Sequence, residues 1–153
     1  MAISGHLDAL EKTVALAKER GARKAIMLPV SVPNHSSLMK EAGIKLSETI
    51  NAIQWRTPSI PLIQNAHAAV PNDLDALLVS LRAHIFSPVQ WTRTVQSIRD
   101  KFQVATIIES GPGKVLSGLG RRIDRGLTNM PCETPDNLQA VIESSLVSAK
   151  VNG

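Results

Sequence analysis

At 153 residues, 43% hydrophobic and 20% charged, the chain has ordinary globular composition and room for one compact domain, or one and a half small ones. No apolar run is long enough to span a bilayer, the start Met1-Ala2-Ile3-Ser4-Gly5-His6 lacks the basic and apolar regions of a signal peptide, and the single Cys132 can form no internal disulfide or thiolate cluster. The net charge of +4 favours anionic partners, but the basic residues are scattered and aromatics are only 3%, so a cytoplasmic protein with an acidic or phosphorylated partner is expected, not one that binds nucleic acid or a membrane.

From His6 to Arg20, Leu7, Leu10, Val14 and Ala17 share one helical face, and Gly21 stops the helix. Ala25–Val30 reads as a short strand, followed by a polar loop, Ser31-Val32-Pro33-Asn34-His35-Ser36-Ser37. Leu38, Ala42, Leu46 and Ile50 mark a second helix. After the turn from Pro58 to Pro61, Leu62–Asn65 reads as a strand. Leu74, Leu77, Leu78, Leu81 and Ile85 give the strongest helical stripe. Ser87-Pro88-Val89-Gln90 has the pattern of a capping box and predicts a helix buried through Trp91, Val95, Ile98 and Phe102. Val104–Glu109 is a continuous apolar strand of the kind covered on both faces. It runs through Ser110-Gly111-Pro112-Gly113 into a basic helix with Leu116, Leu119 and Ile123. A last helix starts near Thr134-Pro135, and Lys150–Gly153 reads as a frayed tail. Helices between strands predict an α/β fold with a largely parallel sheet, although three or four strands are few for a self-contained one.

Several patterns bear on chemistry. Gly111-Pro112-Gly113 invites a phosphate-cradle reading, but the dinucleotide fingerprint wants glycine where Leu116 stands. The P-loop wants Ser or Thr where Val115 follows Lys114, so a tight strand-to-helix turn is favoured. Ser117 lacks the glycine frame of a nucleophile elbow, as do the other serines. The histidines at 6, 35, 67 and 84 show no paired zinc spacing; His6 and His67 read as surface residues, and His84 as a cation suited to a helix C-terminus. His35 stands apart. It lies in a loop between a strand and a helix, where an α/β sheet places functional side chains, so a general base and a capping or surface histidine are both open readings.

Three segments in fixed order then carry a resemblance: Val30-Ser31-Val32-Pro33-Asn34-His35-Ser36-Ser37-Leu38-Met39, Ser87-Pro88-Val89-Gln90-Trp91 and Glu109-Ser110-Gly111-Pro112-Gly113-Lys114-Val115-Leu116-Ser117-Gly118-Leu119. Together they resemble the C-terminal half of the malonyl-CoA:acyl carrier protein transacylases and of related acyltransferase domains in fatty acid and polyketide synthases. The resemblance runs from about Ile3 to the last helix. It implies part of an α/β-hydrolase-like parallel-sheet domain: residues 31–149 would be the C-terminal part of the large subdomain. Residues 1–30 would be a remnant of a ferredoxin-like small subdomain, with 150–153 as the tail.

The resemblance also implies a mechanism. The family moves a malonyl group from coenzyme A to a serine and then to the phosphopantetheine thiol of acyl carrier protein, by ping-pong nucleophilic catalysis. His35 matches the catalytic histidine, and His84 stands where a backbone carbonyl orients that ring; glutamine is common there, so His84 is a departure. Lys24 falls where some members have a basic residue near the coenzyme A or carrier arm. Asn34 departs from the serine or phenylalanine usual at a position associated with acyl choice.

The implied substrate is malonyl-CoA, with no permanently bound cofactor; the implied partner is acyl carrier protein. Lys114, Arg121, Arg122 and Arg125, on and just after the helix following Gly113, offer either a docking face for that acidic carrier or a solvated helix face. The family's glutamine loop, G-H-S-x-G nucleophile elbow and malonate-binding arginine have no counterpart in these 153 residues. The expectation is therefore the second half of a transacylase, inactive by itself. A subunit completed by an N-terminal half from another chain, and a non-catalytic module that binds carrier protein or coenzyme A, are the alternatives.

Overall fold

A computed structural model describes residues 2–151, with side chains through Ser144. The chain is a mixture of helix and parallel sheet, and it divides into two compact units between Gln90 and Trp91. The first unit contains α1 (Leu7–Glu19), a 3-10 turn (Ser37–Met39), α2 (Lys40–Ala52) and α3 (Leu74–His84). The second contains α4 (Trp91–Phe102), β1 (Thr106–Ser110), α5 (Val115–Ile123), β2 (Thr128–Cys132) and α6 (Pro135–Val151). No helix among the described residues is long and apolar enough to cross a membrane.

In the first unit α1 ends as its sequence demands. Gly21 takes φ 84°, Gly21 N–H donates to Lys18 O, and Ala22 N–H donates to Ala17 O, closing the last turn with a glycine just past the helix. No residue of α1 is buried. The core lies between α2 and α3, where Ile50 and Leu77 are buried. Gly43 lets the Phe86 ring lie directly on α2, since a Cβ there would come within 2.6 Å of it. That contact brings the chain leaving α3 back across α2. Asp73 starts α3, its Oδ1 accepting from Ala76 N–H at 2.7 Å.

In the second unit, β1 and β2 pair in parallel, Thr106 opposite Thr128 and Ser110 opposite Cys132, with α5 as the crossover. Val95, Leu127 and Val141 form its buried core. Arg99 ties α4 to the residue after α5, donating to Asp124 Oδ2 at 2.6 Å. The start of α5 is held by Glu109 of β1, whose Oε1 accepts from Leu116 N–H at 2.9 Å and whose Oε2 accepts from Ser117 N–H at 2.7 Å. Gly111 and Gly113, at φ 127° and 88°, turn the chain back so that this carboxylate can reach the helix. Burial pushes the Glu109 carboxyl up, but hydrogen bonds led by those of Ser117 outweigh it and hold it below the usual carboxylate range.

Five local expectations change. Ala25–Val30 forms no strand: no neighbouring strand among the described residues receives it, Pro29 has no N–H, and Ile26 and Leu28 are exposed. Leu62–Asn65 shrinks to a single bridge between Gln64 and Ala69, because the chain turns back at once through Ala68 at φ 53°. The Ser87 capping box does not form, since Gln90 N–H is taken by Asn65 O at 2.8 Å and α4 begins only at Trp91. Finally, β1 is not covered on both faces, as Ile108 is 47% exposed. Lys150 and Val151, expected in the tail, lie in the last turn of α6, and 152–153 fall outside the described residues.

Two glycines on α5 predict opposite outcomes. A Cβ on Gly120 would collide with the Asn129 side chain, which is 5% exposed and donates to Leu127 O at 3.0 Å. Gly120→Ala should therefore cost about 1–3 kcal/mol. Gly118 has open space around it, so Gly118→Ala should stabilise by about 0.5–1 kcal/mol through helix propensity. Urea denaturation of the two variants checks both signs. Because the Glu109 carboxyl sits below its unfolded value of about 4.5, its contribution is complete above that pH and is lost as pH falls through the folded value. Glu109→Gln should lower Tm by roughly 3–6 °C at neutral pH, with the difference from the parent shrinking in acid.

Candidate active site

The loop before the 3-10 turn is folded by its own short bonds. Asn34 N–H donates to Val32 O at 2.9 Å, and Ser36 Oγ donates to Pro33 O at 2.7 Å. Between them His35 takes φ 62°, a left-handed conformation that few residues other than glycine adopt, although histidine is among those enriched there. Such strain persists only where the surroundings impose it.

Here the imposing groups come from the end of α3. His35 N–H donates to Ile85 O at 2.9 Å, and His35 Nδ1 lies 3.1 Å from His84 O. These are main-chain carbonyls at the C-terminus of a helix, where the last turn leaves acceptors unsatisfied. A carbonyl oxygen has no proton to give, so the second bond places hydrogen on Nδ1 and the lone pair on Nε2. His35 is exposed, so that lone pair belongs to a solvent-facing imidazole held at ring and backbone. The His84 ring lies against it, with centroids 5.3 Å apart and planes inclined by 37°. Burial first, and then the charge of His35, push the His84 imidazole below its ordinary 6.5.

The structure thus brings His35 and His84 together, with Asn34 alongside in the same loop. Lys24 is exposed in the segment between α1 and that loop. In the second unit, Lys114 and the arginines separate. Lys114 precedes the first turn of α5, 4.0 Å from Glu133 Oε1, whereas Arg121 and Arg122 lie in the last turn, about 10–12 Å further along the axis. Arg125 follows the helix, which ends at Ile123, so it shares no helical face with Arg121. Arg121 Nη2 is drawn to Asn129 O at 3.2 Å, leaving Arg122 and Arg125 as the outward cations.

Glu109 is the residue that sequence reasoning passed over. Its signal was present, an acidic residue ending an apolar strand seven residues before a helix turn and standing first in the third segment of the resemblance, but sequence alone gives it no role. By filling the N–H groups at the start of α5 it supplies the anion that a phosphate cradle would have bound, which closes the nucleotide reading of Gly111-Pro112-Gly113. His6 sits at the start of α1 and His67 is exposed in the turn after Gln64. A cavity of about 240 Å³ between Thr57–Leu62 and Val70–Asp73 is lined by neither His35 nor His84. No group of three potential metal ligands converges among the described residues.

No protein-family profile matches the chain. Individual proteins do. The malonyl CoA-acyl carrier protein transacylase of Escherichia coli K12 is 38% identical over 141 residues, 92% of this chain and 45% of that protein. The Bacillus subtilis transacylase is 37% identical over 142 residues, 93% of this chain and 44% of that protein. The crystal structure of the Xanthomonas oryzae transacylase superposes with a TM-score of 0.88 at 40% identity, covering 92% of this chain and 44% of that one. A complex of a type II polyketide synthase acyl carrier protein with its malonyl-transacylase matches with a TM-score of 0.87 at 33% identity, over 92% and 45%. The chain spans about 45% of the length of the curated relatives it matches. In sequence and in backbone alike, the chain is similar to the C-terminal half of the malonyl-CoA:acyl carrier protein transacylases.

Proposed function

We propose that these residues carry the general base of a malonyl-CoA:acyl carrier protein S-malonyltransferase, and that polypeptide outside them supplies the nucleophilic serine. The observation that carries this reading is the His35 ring itself: its Nδ1 is committed to the His84 carbonyl, and its Nε2 is left as a proton acceptor. In the first half-reaction Nε2 takes the serine hydroxyl proton as the oxygen attacks the malonyl thioester. Coenzyme A leaves as the thiolate and takes that proton back from Nε2. In the second, Nε2 accepts the proton of the carrier's phosphopantetheine thiol, whose sulfur takes the malonyl group. The serine oxygen then recovers the proton. No nucleophile elbow or malonate-binding arginine lies within the 153 residues, so the base alone has nothing to activate.

Apolar side chains with little cover, Ile26, Leu28 and Val30 in the first unit and Ile108 in the second, support a complementary segment packing on each unit. Lys24 and Asn34 line the approach to His35 in this reading, and Arg122 and Arg125 form the part of the basic patch that meets an acidic carrier protein.

Two measurements test the reading. The 153-residue chain alone should transfer no malonyl group and form no malonyl adduct by intact mass. Co-expression with the N-terminal half of the E. coli relative should restore transfer, and His35→Ala should then lower it about 100-fold or more. An adduct on any serine of this chain alone would show that the nucleophile has been misplaced. For the carrier, a fluorescence titration should show weak binding that falls steeply with salt, since exposed charges are screened over about 8 Å at physiological ionic strength. Arg122→Glu/Arg125→Glu should lose that binding at low salt; equal affinity would exclude the patch. Arg121 is left intact there because its guanidinium holds Asn129.

A further inference from the structure

We propose that the His84 side chain, and not only its main-chain carbonyl, is a positioning group for His35: the two rings share the protonation of the pair, so that a proton on one opposes a proton on the other. The proposal rests on His35 as the base. Three features of the structure support it. The two rings pack at 5.3 Å, close enough for a charge on one to act on the other. His35 has little freedom to move away, since its N–H is held by Ile85 O and its Nδ1 by His84 O. His84 also ends α3, where the helix dipole would favour a cation, yet burial and His35 push it the other way.

No other charge explains that direction. In the same last turn, Arg82 is held by Asn51 Oδ1 at 3.1 and 2.6 Å. Asp73 and Asp75 lie at the far end of α3, and α2 contributes Lys40, Glu41, Lys45 and Glu48. None of these is among the causes that move His84; burial and His35 are. When His35 takes a proton, a neutral His84 ring leaves the new imidazolium unopposed. Below the pH at which His84 also charges, two adjacent cations repel and the pair resists its second proton. The two rings then titrate as one coupled unit rather than as two independent sites. Glutamine or phenylalanine at position 84 would keep the carbonyl and abolish that coupling.

The experiment is an NMR titration of the imidazole resonances of the 153-residue chain from about pH 4.5 to 8.5, beside His84→Gln, His84→Phe and His35→Gln. In the parent, His35 should follow a broadened curve with an apparent slope below one. In both His84 variants it should follow a single-site curve, and in His35→Gln the His84 midpoint should rise. The pH dependence of His35 carbethoxylation, read by peptide mass, should track the same neutral fraction. Identical His35 curves in all backgrounds, with an unmoved His84 midpoint in His35→Gln, would overturn the proposal. Malonyl transfer is not read here. Coupled curves in a chain that never regains transfer would refute the base assignment and keep the pair; uncoupled curves beside restored transfer would do the reverse.

Discussion

The end of α3 is the constraint on which the candidate site depends. A helix must leave its last carbonyls without partners inside the helix, and here two of them, at His84 and Ile85, take both hydrogen-bond donors of one distant residue. The left-handed backbone of His35, its ring orientation and its tautomer all follow from that one arrangement. Helix and loop stabilise each other: the carbonyls gain donors, and the loop, folded by its own short bonds, gains two anchors on the helix. The Phe86 ring on Gly43 supports it from behind, by holding the chain that leaves α3 against α2.

The second unit solves the mirror problem. There the unsatisfied groups are the N–H donors at the start of α5, and a single acidic residue, Glu109, reaches across the Gly111-Pro112-Gly113 turn to take two of them. The two units thus use the same economy, a side chain from a neighbouring segment closing a helix end. The consequences differ. At α3 the closing residue keeps a free nitrogen facing solvent, whereas at α5 both carboxylate oxygens are consumed. The first arrangement is chemically available and the second is structural.

These differences explain what was legible in the sequence. α3 and α5 follow from apolar spacing, α1 from its stripe and Gly21, and α6 from Thr134, whose Oγ1 accepts from Asn137 N–H at 3.2 Å. Each is decided by local chemistry. β2 escaped notice because Asn129 and Pro131 break the apolar pattern of a strand, and only its pairing with β1 makes it one. Ala25–Val30 shows the converse: an apolar, strand-like run remains unpaired because a strand is made by its partner and not by its composition. Ser87 failed as a cap for the same reason, since the Gln90 N–H answers to Asn65, twenty-five residues away. His35 was legible as a candidate through its place in a loop and through the resemblance; the carbonyls that hold it are main-chain atoms, which no side-chain motif records.

An acceptor without charge has a particular consequence for a base. A carboxylate behind an imidazole both selects the tautomer and stabilises the cation formed when the ring takes a proton. A carbonyl does the first fully and the second only through its dipole. In the proposed reaction the imidazolium formed at His35 therefore has no counter-ion in its own hydrogen-bond partner, and its stability depends on solvent and on the charges nearby. The His84 ring packs against it, and burial and then His35 push that imidazole below its ordinary value. The side chain at position 84 leaves the tautomer logic untouched, because that logic runs through the backbone. What the His84 imidazole adds is a second proton acceptor, its ring centroid 5.3 Å from that of the first. Its effect falls on the second proton, because a cation on one ring opposes a cation on the other.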